Sequence, residues 1–142
     1  MDISKTLKFL KGRDGASASL GFTFSSTPDP LTLSGRAEAD LRTCQPFGYL
    51  SGGVALALAE TLAGIGSITL CPGRPCPGMQ VSANHLLPVK MGDNITAEAR
   101  IIHKGRQHHV WQVEIRRSDG EISSIVTVTN FIGREIKEDY EE

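Results

Sequence analysis

The sequence predicts an α+β fold in which one long central helix is wrapped by a curved antiparallel sheet of about six strands. Three observations carry that reading. Residues 52–71 form an apolar run long enough for about five helical turns. The segments on both sides of it alternate apolar and polar residues with period two, as half-buried strands do. Across residues 43–73 the only charged side chain is Glu60, so this stretch belongs to an interior.

Each element follows in chain order. The opening residues interleave lysines with apolar side chains and predict a short amphipathic helix over about 3–12. They contain no apolar run long enough for a signal peptide. Period two begins at Leu20, Phe22 and Phe24. It resumes after Pro28-Asp29-Pro30 at Leu31, Leu33, Gly35 and Ala37, which predicts a hairpin. A loop over 41–50, punctuated by Pro46 and Gly48, leads into the long helix, and Pro72-Gly73 stops it. Four strands follow. Met79, Val81, Ala83 and His85 share one face, Ile95, Ala97, Ala99 and Ile101 another, and Trp111, Val113 and Ile115 a third. Asp119-Gly120 is a turn dipeptide before the β-branched run at 122–132. Residues 134–142 hold five acids against two bases and read as a solvated tail on a single domain spanning 1–142.

Composition excludes several classes of function. A chain of 142 residues buries roughly 70% of its unfolded surface, so it needs neither disulfides nor a structural metal. With 15 Lys+Arg against 16 Asp+Glu it lacks the basic excess of a nucleic-acid binder or an anionic-membrane binder. Cys44, Cys71 and Cys76 are odd in number and form no secretory framework; the C-x4-C spacing of the last two finds no further ligands, so no metal site is assigned. Reduced thiols fit a cytoplasmic protein. The central run also raises a membrane span, but Glu60 at its centre and frequent Gly, Ser and Thr argue for a buried helix instead. An apolar helix must be covered on nearly all sides. One sheet does not suffice, which predicts an obligate oligomer.

The helix carries the candidate chemistry. Gly52 and Gly53 at its start leave backbone N–H groups unshielded where the helix dipole favours negative charge, a setting for an acyl oxyanion. The same two glycines also suit a tight turn or close packing. Glu60, seven residues past Gly53, lies roughly 10 Å along the same face. A carboxylate buried among Leu, Ala and Ile is costly, so it is either functional or paired with a buried Lys or Arg. If a second subunit's helix lies alongside, one chain supplies amides and the other the carboxylate. His85, His103, His108 and His109 form no metal trio; His108 and His109 point to opposite faces of a strand. Ser51 and Ser67 lack a His-Asp pair at recognisable spacing, which argues against a serine hydrolase. Lys104, Gly105 and Arg106 make a small basic turn able to meet phosphate.

These residues resemble a known family. Gln45-Pro46-Phe47-Gly48, Gly52-Gly53, Leu58-Ala59-Glu60-Thr61, Ala83-Asn84-His85 and the run from Gly105 through His108-His109 to Ile115 are similar to the hot-dog fold acyl-CoA thioesterases, in the group of dihydroxynaphthoyl-CoA thioesterase and the enterobactin-synthesis proofreading thioesterase. The resemblance covers about residues 16–133. It implies that the thioester carbonyl accepts hydrogen bonds from the Gly53 N–H and the Gln45 side chain, while Glu60 of the facing subunit attacks it or activates water. It implies substrate contacts at Gly52, Thr61 and Gly78. Coenzyme A, part of the substrate rather than a cofactor, would lie along His85 and the segment of His103, Lys104, Gly105, Arg106 and His108. A homodimer or a dimer-of-dimers tetramer, free of nucleic acid and membrane, is implied as well. Two positions depart from the pattern: Ser51 stands where His is common in the catalytic set, and Gly64 where a hydroxyl residue is common. The alternatives are a non-catalytic acyl-CoA binding protein and a hot-dog hydratase, although the latter wants a histidine at the helix start.

Overall fold

The computed structural model describes residues 1–136. Its elements are α1 (Ser4–Leu10), α2 (Gly15–Leu20), β1 (Thr23–Ser25), β2 (Thr32–Glu38), α3 (Gly52–Leu70), β3 (Gly78–His85), β4 (Asn94–Lys104), β5 (His108–Arg117) and β6 (Ile122–Phe131). All strand pairs are antiparallel in one six-stranded sheet of order β1-β2-β4-β5-β6-β3. Most of the acidic tail lies outside the described residues.

The N-terminal region differs from expectation. The helix expected over 3–12 is α1, which ends just before Gly12 at φ +80°, and a second short helix, α2, follows it. Leu20, assigned by alternation to a strand, ends α2 instead. Gly21 at φ +73° lets the Phe22 N–H return to the Ser17 carbonyl at 2.9 Å, which closes the helix. That leaves β1 only three residues long. Beyond it the register follows the alternation: Leu33 faces Ala99 and Ala37 faces Ile95 across β2–β4, and Ile101 faces Trp111 across β4–β5.

Small residues bring α3 down onto the sheet. Ala55, Ala59, Ala63 and Gly66 are buried on its sheet side with Leu58, Leu62 and Ile65. A Cβ on Gly66 would sit 2.7 Å from Trp111 Cζ2 and 3.0 Å from Leu33 Cδ2, so glycine is what admits the indole. A Cβ on Gly35 would lie 3.4 Å from Leu58 Cδ1 and Leu62 Cδ1. By length and composition α3 could cross a membrane, but here it is the core helix in the concavity of the sheet.

Within one chain the sheet does not cover α3 all round, in line with the expectation that one sheet does not suffice. One side packs on the sheet, whereas Gly53 and Glu60 on the other are exposed. Glu60 is therefore not a carboxylate sunk among Leu, Ala and Ile of its own chain. At the sheet edge, β3 hydrogen-bonds β6 alone and keeps only Val81 and Ala83 half-buried.

Beneath the C-terminal half of α3 lies a polar cluster. The Ser67 hydroxyl accepts from Trp111 Nε1 at 3.0 Å and Asn130 Nδ2 at 3.1 Å, so its own proton goes to His109 Nδ1 at 2.9 Å. The tautomer of His109 then carries its proton on Nε2, 3.8 Å from Cys71 Sγ. His109 is buried and His108 exposed, as the strand alternation requires. Burial first, then the charges of Lys104 and Arg74, push the His109 pKa below its ordinary value. The fold thus holds it neutral, while the unfolded chain takes up its proton near pH 6.5. Stability from this source is full above about pH 6.5 and falls as pH drops toward the lower folded value. Urea midpoints measured between pH 7.5 and 5 are expected to fall on acidification, and His109→Gln is expected to flatten that slope.

Candidate active site

The loop entering α3 is folded upon itself. The Thr43 hydroxyl donates to the Glu38 carbonyl at 2.7 Å, and the Gln45 N–H donates to the Tyr49 carbonyl at 2.7 Å. Gly48 takes φ +90°, and its N–H returns to the Gln45 carbonyl at 2.9 Å. The Ser51 N–H is anchored on the Thr43 carbonyl at 2.8 Å. This closed turn sets Gln45, Ser51, Gly52 and His85 around one cleft of about 390 Å³, with Phe47, Tyr49, Leu86 and Leu87 in its walls.

Ser51 occupies the N-cap of α3 with extended backbone (φ −68°, ψ 132°) yet makes no side-chain capping bond. Serine at this position ordinarily satisfies one of the next two or three N–H groups. Here the Gly53 N–H is left without that cap at the positive end of the helix dipole. The two glycines also separate. Neither has a positive φ, so a tight turn does not require them. Gly52 has a packing reason, because a Cβ there would lie 2.7 Å from His85 Nε2. Gly53 has none: its Cβ would meet only Ser51 Oγ at 3.6 Å. No packing contact among the described residues requires a glycine at 53.

Glu60 stands two turns further along. Its carboxylate lies over Gly78 at the start of β3, where a Cβ would come within 3.1 Å of Glu60 Cδ. It joins no ion pair among the described residues, so pairing with a buried Lys or Arg does not account for it. Thr61 beside it is half-buried, and Gly64 one turn on has nothing within 4 Å of its Cβ position.

A third group lies at the β4–β5 hairpin. The Gly105 N–H donates to the His108 carbonyl at 2.9 Å, and a Cβ on Gly105 would lie 2.7 Å from His103 Nε2, so glycine lets the imidazole fold over the turn. Lys104 and Arg106 are exposed, and His108 packs edge-on against Phe131 with ring centroids 5.9 Å apart. One chain therefore brings together Gln45, Ser51, Gly52 and His85, then separately Glu60 with Gly78, then the hairpin residues. Ser124, whose hydroxyl is 2.8 Å from His85 Nδ1, was missed by sequence reasoning. It faces His85 across β3–β6, a register that no local pattern announces.

One helix in the concavity of a six-stranded antiparallel sheet is the hot-dog fold. The comparisons make the assignment specific. The family model described as thioesterase superfamily matches residues 47–124. The Pseudomonas aeruginosa protein PA1618 is 41% identical over 113 residues, 78% of this chain and 76% of its own. The structure of thioesterase PA1618, solved as a Gln→Ala variant, matches with TM-score 0.83 and 34% identity over 94% of each chain. The 1,4-dihydroxy-2-naphthoyl-CoA hydrolase of Escherichia coli is 31% identical over 102 residues, 71% of this chain and 74% of its own. Thioesterase SAV0944 of Staphylococcus aureus, also solved as a Gln→Ala variant, matches with TM-score 0.79 and 28% identity, over 84% of this chain and 99% of that one. The chain belongs to the thioesterase superfamily, and its class of chemistry is thioester hydrolysis.

A side chain at Gly78 must displace the Glu60 carboxylate. Gly78→Val is expected to cut thioester hydrolysis at least tenfold while moving unfolding stability by no more than about 0.5 kcal/mol, because Gly78 is exposed at a strand end. Parallel thiol-release and urea measurements check this.

Proposed function

We propose that this chain hydrolyses a small aromatic acyl-CoA thioester in a site shared between two subunits. The observation that carries the reading is the open face of α3, which presents the uncapped Gly53 N–H and the unpaired Glu60 on one chain. They stand roughly 10 Å apart along the axis, too far to meet at one carbonyl carbon within a chain. A second copy of the helix, laid antiparallel, brings the Glu60 of one subunit to the Gly53 of the other. The bare β3 edge and the half-covered helix supply surfaces for that second copy. A dimer, or a tetramer built from dimers, follows from this reading.

In the mechanism, the thioester carbonyl oxygen accepts from the Gly53 N–H and the Gln45 side-chain amide. The Gly53 N–H is fixed by the helix before charge develops on that oxygen. Glu60 of the facing subunit either takes a proton from water as it adds to the carbonyl carbon, or adds itself and is released by water. The C–S bond then breaks, and the coenzyme A sulfur leaves with a proton. Ser51 offers a hydroxyl beside the thioester, while Gly64 leaves space one turn beyond Glu60. The apolar and aromatic walls formed by Phe47, Tyr49, Leu86 and Leu87 suit an aryl group rather than a long fatty chain, in keeping with the naphthoyl-CoA hydrolase named above. Lys104 and Arg106 would meet the coenzyme A phosphates, with His103 and His108 flanking the nucleotide. In the S. aureus relative, the glutamine and the glutamate replaced in solved variants are 15 positions apart, the separation of Gln45 and Glu60 here.

Thiol release from a panel of aryl- and alkyl-CoA esters tests the chemistry. Glu60→Gln is expected to lower kcat by about 10²- to 10⁴-fold, and Gln45→Ala by about 10²- to 10³-fold. Wild-type esters bound but turned over no faster than by Glu60→Gln would mark a binding protein instead. For the shared site, sedimentation is expected to show a dimer or larger species at micromolar concentration; a folded monomer there would overturn it.

A further inference from the structure

The loop leaving α3 contains a cation that the proposed chemistry does not use. Arg74 is half-buried, and its guanidinium donates to three backbone carbonyls: Gly133 through Nε at 2.6 Å, and Ile132 and Arg106 through Nη2, both at 3.3 Å. These acceptors come from two separate parts of the chain, the exit of β6 and the tip of the β4–β5 hairpin. Backbone bonds tie the same junction: Phe131 N–H to the Pro77 carbonyl at 2.9 Å, Gly133 N–H to the Pro75 carbonyl at 2.8 Å, and Ile132 N–H to the Gln107 carbonyl at 2.7 Å. A Cβ on Gly133 would lie 2.7 Å from Pro75 Cγ, so the loop is pressed against the strand exit. The hairpin tip itself, with exposed Lys104 and Arg106, is held from this side by the Arg74 fork.

We infer that Arg74 is a positioning residue for the phosphate-binding hairpin: by bridging the Arg106 carbonyl to the β6 exit it holds Lys104 and Arg106 where the nucleotide phosphates of coenzyme A arrive. This rests on the reading that the hairpin meets those phosphates. A planar guanidinium can bridge several carbonyls at fixed angles, whereas an ammonium is a point donor on a flexible stem. Acting through the hairpin, Arg74 governs how tightly the nucleotide end is held and leaves the chemical step at Glu60 untouched.

The experiment compares one acyl group on coenzyme A and on N-acetylcysteamine, which lacks the nucleotide and its phosphates. Adenosine 3′,5′-bisphosphate serves as competitor. Arg74→Ala is expected to raise KM for the CoA ester about tenfold, the scale of one charge-assisted hydrogen bond. It should weaken inhibition by the bisphosphate to match, with kcat and all constants for the N-acetylcysteamine ester unchanged. Arg74→Lys keeps the charge without the fork and is expected to remain impaired. Equal losses on both esters would reduce Arg74 to a general structural role and overturn the inference, as would full recovery by lysine or no change at all. Lys104→Ala with Arg106→Ala separates the two levels. If that double variant discriminates between the esters and Arg74→Ala does not, the positioning role alone fails. If the double variant treats both esters alike, the phosphate reading fails and takes this inference with it.

Discussion

The rest of the structure depends on how closely α3 approaches the sheet. Gly66 removes the side chain that would collide with Trp111, and Gly35, Ala97 and Ala99 keep the floor beneath the helix shallow. Leu58 and Leu62 then fill the concavity, and Trp111 slides under Gly66. A helix seated this deeply can be covered by one sheet only on the side that faces it. Its opposite side stays open, and that side holds Gly53 and Glu60. Packing and proposed chemistry are therefore two faces of one helix, divided by where the small residues fall.

Much of this was legible in the residues. Strand alternation located the inward sets of β2, β4 and β5, because each has one covered face and period two reports that directly. The span of α3 followed from its apolar run and the Pro72-Gly73 stop. The N-terminus was less readable. Leu20, Phe22 and Phe24 have the spacing of a strand, but Gly21 adopts a left-handed conformation that ends a helix, and local alternation cannot distinguish the two. The burial of Glu60 was misjudged for a different reason. Composition treats every apolar neighbour along the chain as a wall, whereas half of those neighbours lie on the far side of the helix.

The candidate site divides in the same way. Gly53 and Glu60 were visible because they break a pattern, a bare amide and a lone charge in an apolar run. Ser124 and Arg74 were not visible, because each acts on residues far along the chain and joins them only through strand register or loop closure. A serine on a strand and an arginine in a proline-rich loop look ordinary until the elements are assembled.

The Ser67 cluster has a consequence for the helix as a whole. Apolar packing between α3 and the sheet tolerates small rotations about the helix axis, since one methyl group can replace another as a neighbour. A hydroxyl that must receive two N–H donors and give its proton to one particular imidazole nitrogen tolerates none. It works as an indexing pin, fixing the angle at which α3 sits in its cradle. Every other position on the helix inherits that angle, and the direction in which Gly53 and Glu60 look out from the open face is set at its buried end, by a side chain that never meets substrate.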